Sequence, residues 1–107
     1  MKTLLKPKIT PVVGMGVTVG VGSDAYPATI IEVSTNLKRV TIQMDKATPV
    51  EGFDYYKNQV YTFKRDPNGA IKIWTWRKRG VWAQLKSVRA VGYLSFNGRR
   101  KYSDPSF

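Results

Sequence analysis

"GVTVGVGSDAYPATIIEVSTNLKRVTIQMDKA", residues 16–47, decides the fold class. In its first part Val17, Val19 and Val21 alternate with Thr18 and Gly20. "SDAYP" carries turn chemistry, "ATIIEVS" is a β-branched run buried on one side, and "TNLK" reads as a turn. "RVTIQMDK" then alternates cleanly. Val40, Ile42 and Met44 face one way, and Arg39, Thr41, Gln43 and Asp45 the other. A period of two marks a strand with one buried face. No stretch of the chain shows a helical period of useful length. Closely spaced short strands, five to seven in all, predict an all-β fold, a small antiparallel barrel or sandwich, and closure, which removes exposed strand edges, favours the barrel.

Outward from this stretch the chain divides into three parts. Residues 1–15 read as an extended basic arm: Pro7 and Pro11 bar a helix, and Lys2, Lys6 and Lys8 supply charge. Residues 16–98 form the barrel domain. Residues 99–107 form a basic and aromatic tail. Gly14, Gly16, Gly20 and Gly22 lack the Gly-Lys-Ser/Thr ending of a phosphate loop, so they read as relief of crowding at a bend. Residues 47–56 read as a long loop with Pro49 and Gly52, and residues 86–92 as a short helical turn or a loop.

"DPNG", residues 66–69, suits a tight turn, with Pro67 at its second position and Gly69 left-handed. Counting outward pairs Lys64 with Lys72, Phe63 with Ile73 and Thr62 with Trp74, an extended twisted hairpin. Tyr61, Phe63, Ile71 and Ile73 then share one face, the expected core side. "KRG", residues 78–80, is read in the same way, with Gly80 left-handed, Arg77 opposite Val81 and Trp76 opposite Trp82. All three indoles, Trp74, Trp76 and Trp82, thereby join Lys64 and Lys72 on the other face. Two readings stay open for that face. It is the core side of a tightly curled barrel, with lysines reaching out at the rim, or it is a platform on which bases stack beside phosphate-neutralising cations. A one-residue slip would exchange the faces.

Charge is the strongest global signal. Among 107 residues, 18 Lys and Arg face 7 Asp and Glu, a net charge of +11. Residues 54–107 hold twelve of the cations, three of the acids and 11 of the 13 aromatics, so the basic and aromatic signals coincide. Such a field attracts polyanions. The tail places Arg99, Arg100 and Lys101 beside Tyr102, either a solvated strip or a phosphate clamp.

The chain has no Cys and no His. That removes disulfides, thiolate metal sites, the commonest general base and the commonest zinc ligand. The seven acids show no metal-binding spacing. Asp45 and Glu32 read as surface partners of Lys38, Arg39 or Lys46. No enzyme, metal or cofactor is expected. The first residues are too short an apolar run for a signal peptide and no later stretch suits a bilayer, so a cytoplasmic protein is expected.

Residues 16–47 resemble an SH3-like small barrel of the Tudor and KOW type, through Gly16 with Val17 and Val19, Ser23-Asp24 before an aromatic, and the strands ending at Val33 and Asp45. The resemblance implies binding of nucleic acid, ribosomal partners or methylated tails, with Tyr26 as one wall of an aromatic cage. With "DKAT" at 45–48, "DPNG" at 66–69 and "GRRKYSDPSF" at 98–107, the whole chain also looks like short proteins encoded by bacteriophages and their hosts, a resemblance that implies a bacterial setting.

The leading expectation is a non-catalytic nucleic-acid-binding protein, weakly sequence-selective. Its phosphate contacts would be Lys64, Lys72, Arg77, Lys78, Arg79, Arg99, Arg100 and Lys101, with Trp74, Trp76, Trp82 and Tyr102 offering rings. The alternatives are a module that binds an acidic host protein through the same surface and an oligomeric binder of a nucleotide signal.

Overall fold

A computed structural model describes residues 9–77, 80–85 and 92–105. Eight strands follow in order: β1 (Gly16–Val21), β2 (Asp24–Val33), β3 (Arg39–Met44), β4 (Lys46–Pro49), β5 (Tyr61–Lys64), β6 (Ile71–Trp76), β7 (Trp82–Gln84) and β8 (Tyr93–Ser95). Among the described residues there is no helix. Six strands form one antiparallel sheet in the order β7-β6-β3-β2-β1-β8, which curls until β7 approaches β8. The result is a nearly closed small barrel, compatible with the SH3-like barrel expected. β4 and β5 form a separate two-stranded sheet.

The alternation in residues 16–47 does what a period of two requires. Val17, Val19, Ala28, Ile30, Val40 and Ile42 meet inside the barrel with Trp74 and Leu94. β1 and β2 join at Gly22-Ser23, where Gly22 has φ 57° and Val21 opposes Asp24. The turn thus shares only Ser23 with the expected "SDAYP", whose residues 24–27 belong to β2 instead. Pro27 is tolerated there because its backbone faces the β3 side, accepting the Asp45 N–H at 3.0 Å, where β3 has already ended. The consecutive isoleucines are split by a bulge: Ile30 pairs with Ile42, and Glu32 with Thr41. Ile30 stays buried as a result.

The expected hairpin of residues 60–76 is corrected. The "DPNG" turn forms, with Gly69 N–H donating to the Asp66 carbonyl at 2.9 Å and Asn68 N–H to Asp66 Oδ1 at 3.0 Å. Gly69 is not left-handed, however, and the strands on either side part company. β6 pairs with β3, Trp74 opposite Val40 and Lys72 opposite Ile42. β5 pairs with β4, which lies in the stretch expected to be a loop. The physical reason is the payload of Trp74. Against β3 its indole joins Val40 and Ile42 and is 1% exposed, whereas a free hairpin would leave it in water. The faces are exchanged accordingly. Ile71 is 60% exposed and Phe63 is exposed, while the tryptophan side of β6 faces the core.

The second turn holds as expected. Gly80 has φ 83°, its N–H donates to the Arg77 carbonyl at 2.9 Å, Arg77 pairs with Val81, and Trp76 opposes Trp82. Glycine supplies the left-handed residue of a three-residue loop at no steric cost.

The tail folds back on the barrel. Tyr102 extends the free edge of β2 through two backbone bonds with Ala25, and Thr18 Oγ1 donates to the Gly98 carbonyl at 2.6 Å. Ser103 is clasped by Gln59 through its N–H and its carbonyl, so the tail ties the β4–β5 arm to the barrel. Residues 1–8, 78–79, 86–91 and 106–107, including the N-terminal lysines and the stretch read as a helical turn or loop, lie outside the described residues.

Candidate nucleic-acid interface

The structure separates the residues grouped by sequence. Trp74 belongs to the core and presents no face to a ligand; its Nε1 is buried without a partner. Trp76 and Trp82 sit at the barrel rim, half-buried, in an edge-to-face pair with centroids 5.6 Å apart. Phe96 backs Trp82 at 5.5 Å. The outcome is mixed: one indole fills the core and two line an opening.

That opening is the seam where the barrel fails to close. A cleft of about 320 Å³ lies between the β6–β7 turn and the start of β8, walled by Trp76, Val81, Trp82 and Tyr93. Tyr93 opposes Gly20, and its ring covers the space that a side chain at Gly20 would take. Glycine at this position lets the ring lie flat on the strand, a cross-strand pairing that also stabilises the glycine.

Sequence reasoning missed the cations beside this rim. The turn between β2 and β3 carries Lys38 and Arg39, both exposed. With Ser34, Thr35, Asn36 and Thr75 they line a polar cleft of about 460 Å³. Hydrogen bonds shape the turn: Leu37 has φ 64°, the Leu37 N–H donates to the Ser34 carbonyl, and Asn36 Oδ1 accepts from the Lys38 N–H. Among the described residues neither cation has an ion-pair partner. The expected pairing of Asp45 with them is corrected, since Asp45 points to Arg99. The two clefts share a strand end. Arg39 pairs with Thr75, and Trp76 N–H donates to the Lys38 carbonyl at 2.8 Å. The signal available in the sequence was "LKR" in a turn next to β3, whose register places it against β6.

Arg77 belongs to the same end but is partly committed. Its Nε donates to Thr75 Oγ1 at 2.8 Å and its Nη2 to the Gln84 carbonyl at 2.9 Å. Lys78 and Arg79 lie outside the described residues. Lys72 lies on the far side of Trp74 along β6, and Lys64 sits on the β4–β5 arm opposite Lys46. Neither borders the aromatic cleft.

The tail cations are also divided. Arg99 bonds Asp45 and Thr29, leaving it a structural role. Lys101 Nζ lies 4.6 Å from the Tyr26 ring centre and donates to Ser103 Oγ at 2.7 Å. Burial, with the hydrogen bond to Asp24, raises the pKa of Tyr26, and burial raises that of Tyr61. Arg100 is exposed over the Tyr102 ring at 6.0 Å.

Neither a family model, a curated protein nor a solved structure matches this chain. Among the described residues no cluster of acids has the makings of a metal site, and no helix is long and apolar enough to cross a membrane.

Proposed function

We propose that the protein binds nucleic acid without catalysis, through the basic end of the barrel formed by the β2–β3 and β6–β7 turns. The observation that carries the reading is the junction of two unlike surfaces at one strand end: Lys38 and Arg39, free of ion pairs among the described residues, beside the half-buried pair Trp76 and Trp82. Cations at a rim meet phosphates, and rings beside them meet bases. The net charge of +11 draws a polyanion toward any face, and this end offers it rings as well as charge. Of the roles implied by the SH3-like resemblance, nucleic-acid binding of the KOW kind suits the molecule better than a methylated-tail reader. The ring of Tyr26, the candidate cage wall, is already covered by the chain's own Lys101.

Fluorescence anisotropy with labelled DNA and RNA of mixed sequence, between about 50 and 200 mM salt, tests the reading. Affinity should fall steeply with salt. Replacing Lys38 and Arg39 together with Ala should weaken binding and lower the slope of log affinity against log salt by about 0.7 for each single-strand phosphate no longer neutralised. Lys64→Ala, on the distant arm, should change the slope less. Absence of binding at the lowest salt would overturn the proposal and turn attention to an acidic protein partner.

A further inference from the structure

We infer that the seam cleft receives one unpaired base while Lys38 and Arg39 hold a neighbouring phosphate, so that the ligand is single-stranded. This rests on the nucleic-acid reading above and narrows it to a strand class and a base-binding subsite.

Size is the first argument. A cleft of about 320 Å³ lies at the lower end of the range for small-molecule sites, room for a single base and not for stacked pairs. Wall chemistry is the second. Trp76 and Trp82 meet at 61°, so their planes do not stack on each other and a flat guest can lie against one of them. Tyr93, 47% exposed, borders the cleft where β8 begins, with its ring laid over Gly20. The seam itself is the third. β7 is paired with β6 and β8 with β1, and among the described residues no ladder joins β7 to β8. Unpaired strand edges carry N–H and C=O groups that suit the polar edge of a base.

The charged cleft completes the site. Thr75 lines the polar cleft and Trp76 the aromatic one, and these are consecutive residues of β6. Their side chains point to opposite faces of the strand. A nucleic-acid chain crossing the strand end would therefore place a base inside the rim and a phosphate outside it, against Lys38 and Arg39. A duplex holds its bases in the stack and offers this cleft only backbone. Single strands do not have to unpair first, and stacking on an aromatic ring discriminates little between bases.

The test compares three labelled probes of about 12 nucleotides, within the span of one small barrel: a single strand of thymidines, an abasic single strand of the same length, and a duplex. The unmodified protein should bind the thymidine strand about tenfold more tightly than the abasic strand, the effect of one stacked base, and more tightly than the duplex. Tryptophan fluorescence should be quenched by the thymidine strand and not by the abasic one. Trp76→Leu, at the half-buried rim, should bring the thymidine and abasic affinities together while a thermal melt shows the fold retained. Equal, salt-steep binding of all three probes without quenching would overturn the base subsite and leave the polyanion reading standing. Failure to bind any probe would overturn both.

Discussion

Arg99 reaches across β1 to Asp45, its Nε 2.6 Å from Oδ2 of a carboxylate that is 1% exposed. Thr29 closes a triangle, donating its hydroxyl to Asp45 Oδ1 and accepting from Arg99 Nη2, each at 2.7 Å. The arginine can lie there because residue 16 is glycine; a Cβ at that position would stand 2.5 Å from Nη1. Fifty-four positions of sequence separate the two partners, so this ion pair fastens the tail to the barrel. Loss of Arg99 would leave a buried carboxylate with a single hydroxyl donor. Arg99→Ala is expected to cost about 3 kcal/mol, the scale for breaking a buried pair, read by urea denaturation. Arg100→Ala, at an exposed neighbour, should change stability by less than about 0.5 kcal/mol. Equal effects of the two would show that the triangle does not hold the tail. Replacing residues 99–101 together would confuse unfolding with weakened binding, so only Arg100 reports on the tail as a binding surface.

Trp74 and Phe63 should exchange the roles that a hairpin reading assigns them. That reading makes Phe63 core, with Phe63→Ala costing about 3–5 kcal/mol. Because Phe63 is exposed on the β4–β5 arm, Phe63→Ala is instead expected to cost about 1 kcal/mol or less. Trp74→Ala should cost about 3–5 kcal/mol by opening a cavity at the centre of the barrel. Trp74→Phe should cost less than the reduction in volume suggests, since it also removes a buried N–H that has no partner. Thermal melts of the three variants check the order; a melt in which Phe63→Ala is the worst would restore the hairpin pairing.

Much of the barrel was legible because its first half obeys one local rule. The period of two in Val17/Val19 and Val40/Ile42 fixes which side is inside, and tertiary packing had no reason to override it. The "KRG" turn was legible for the same kind of reason, since glycine at a left-handed position determines the pairing of Trp76 with Trp82. "DPNG" misled because a good turn guarantees only the turn. Which strand β6 joins depends on where Trp74 finds apolar neighbours, and those lie on β3, distant in sequence. The site suffered likewise. Lys38 and Arg39 come beside Trp76 only through the pairing of β3 with β6, and Arg99 is withdrawn from ligand binding only because Asp45 is buried beside it.

Leu37 is the one described non-glycine residue with a positive φ, 64°, and it is exposed. A branched side chain in the left-handed region costs roughly 1–2 kcal/mol. Leu37→Gly removes that strain but widens the unfolded ensemble, which offsets part of the gain. The expected net result is a stabilisation of about 0.5–1 kcal/mol, measured as a rise in the urea midpoint. Because the turn carries Lys38 and Arg39, nucleic-acid affinity should be kept. A lower midpoint would mean that the packing of the Leu37 side chain is worth more than the strain.

A loss of stability in alkali is expected. The chain has no histidine, and the shifts resolved at Tyr26 and Tyr61 are both upward from 10.0. For Tyr26 the first cause is burial, followed by its hydrogen bond to Asp24 Oδ2. A raised folded-state pKa means that the folded protein keeps its phenol protons when the unfolded chain has begun to lose them. The contribution to stability is therefore fully present below pH 10 and is lost as pH rises through the higher folded value. Tyr26→Phe removes one such group, so the fall in stability of that variant above pH 10 should be shallower than in the parent protein. Denaturation midpoints collected from neutral to strongly alkaline pH check this. A parent protein that loses stability steeply below about pH 9 would require a titrating group other than these tyrosines.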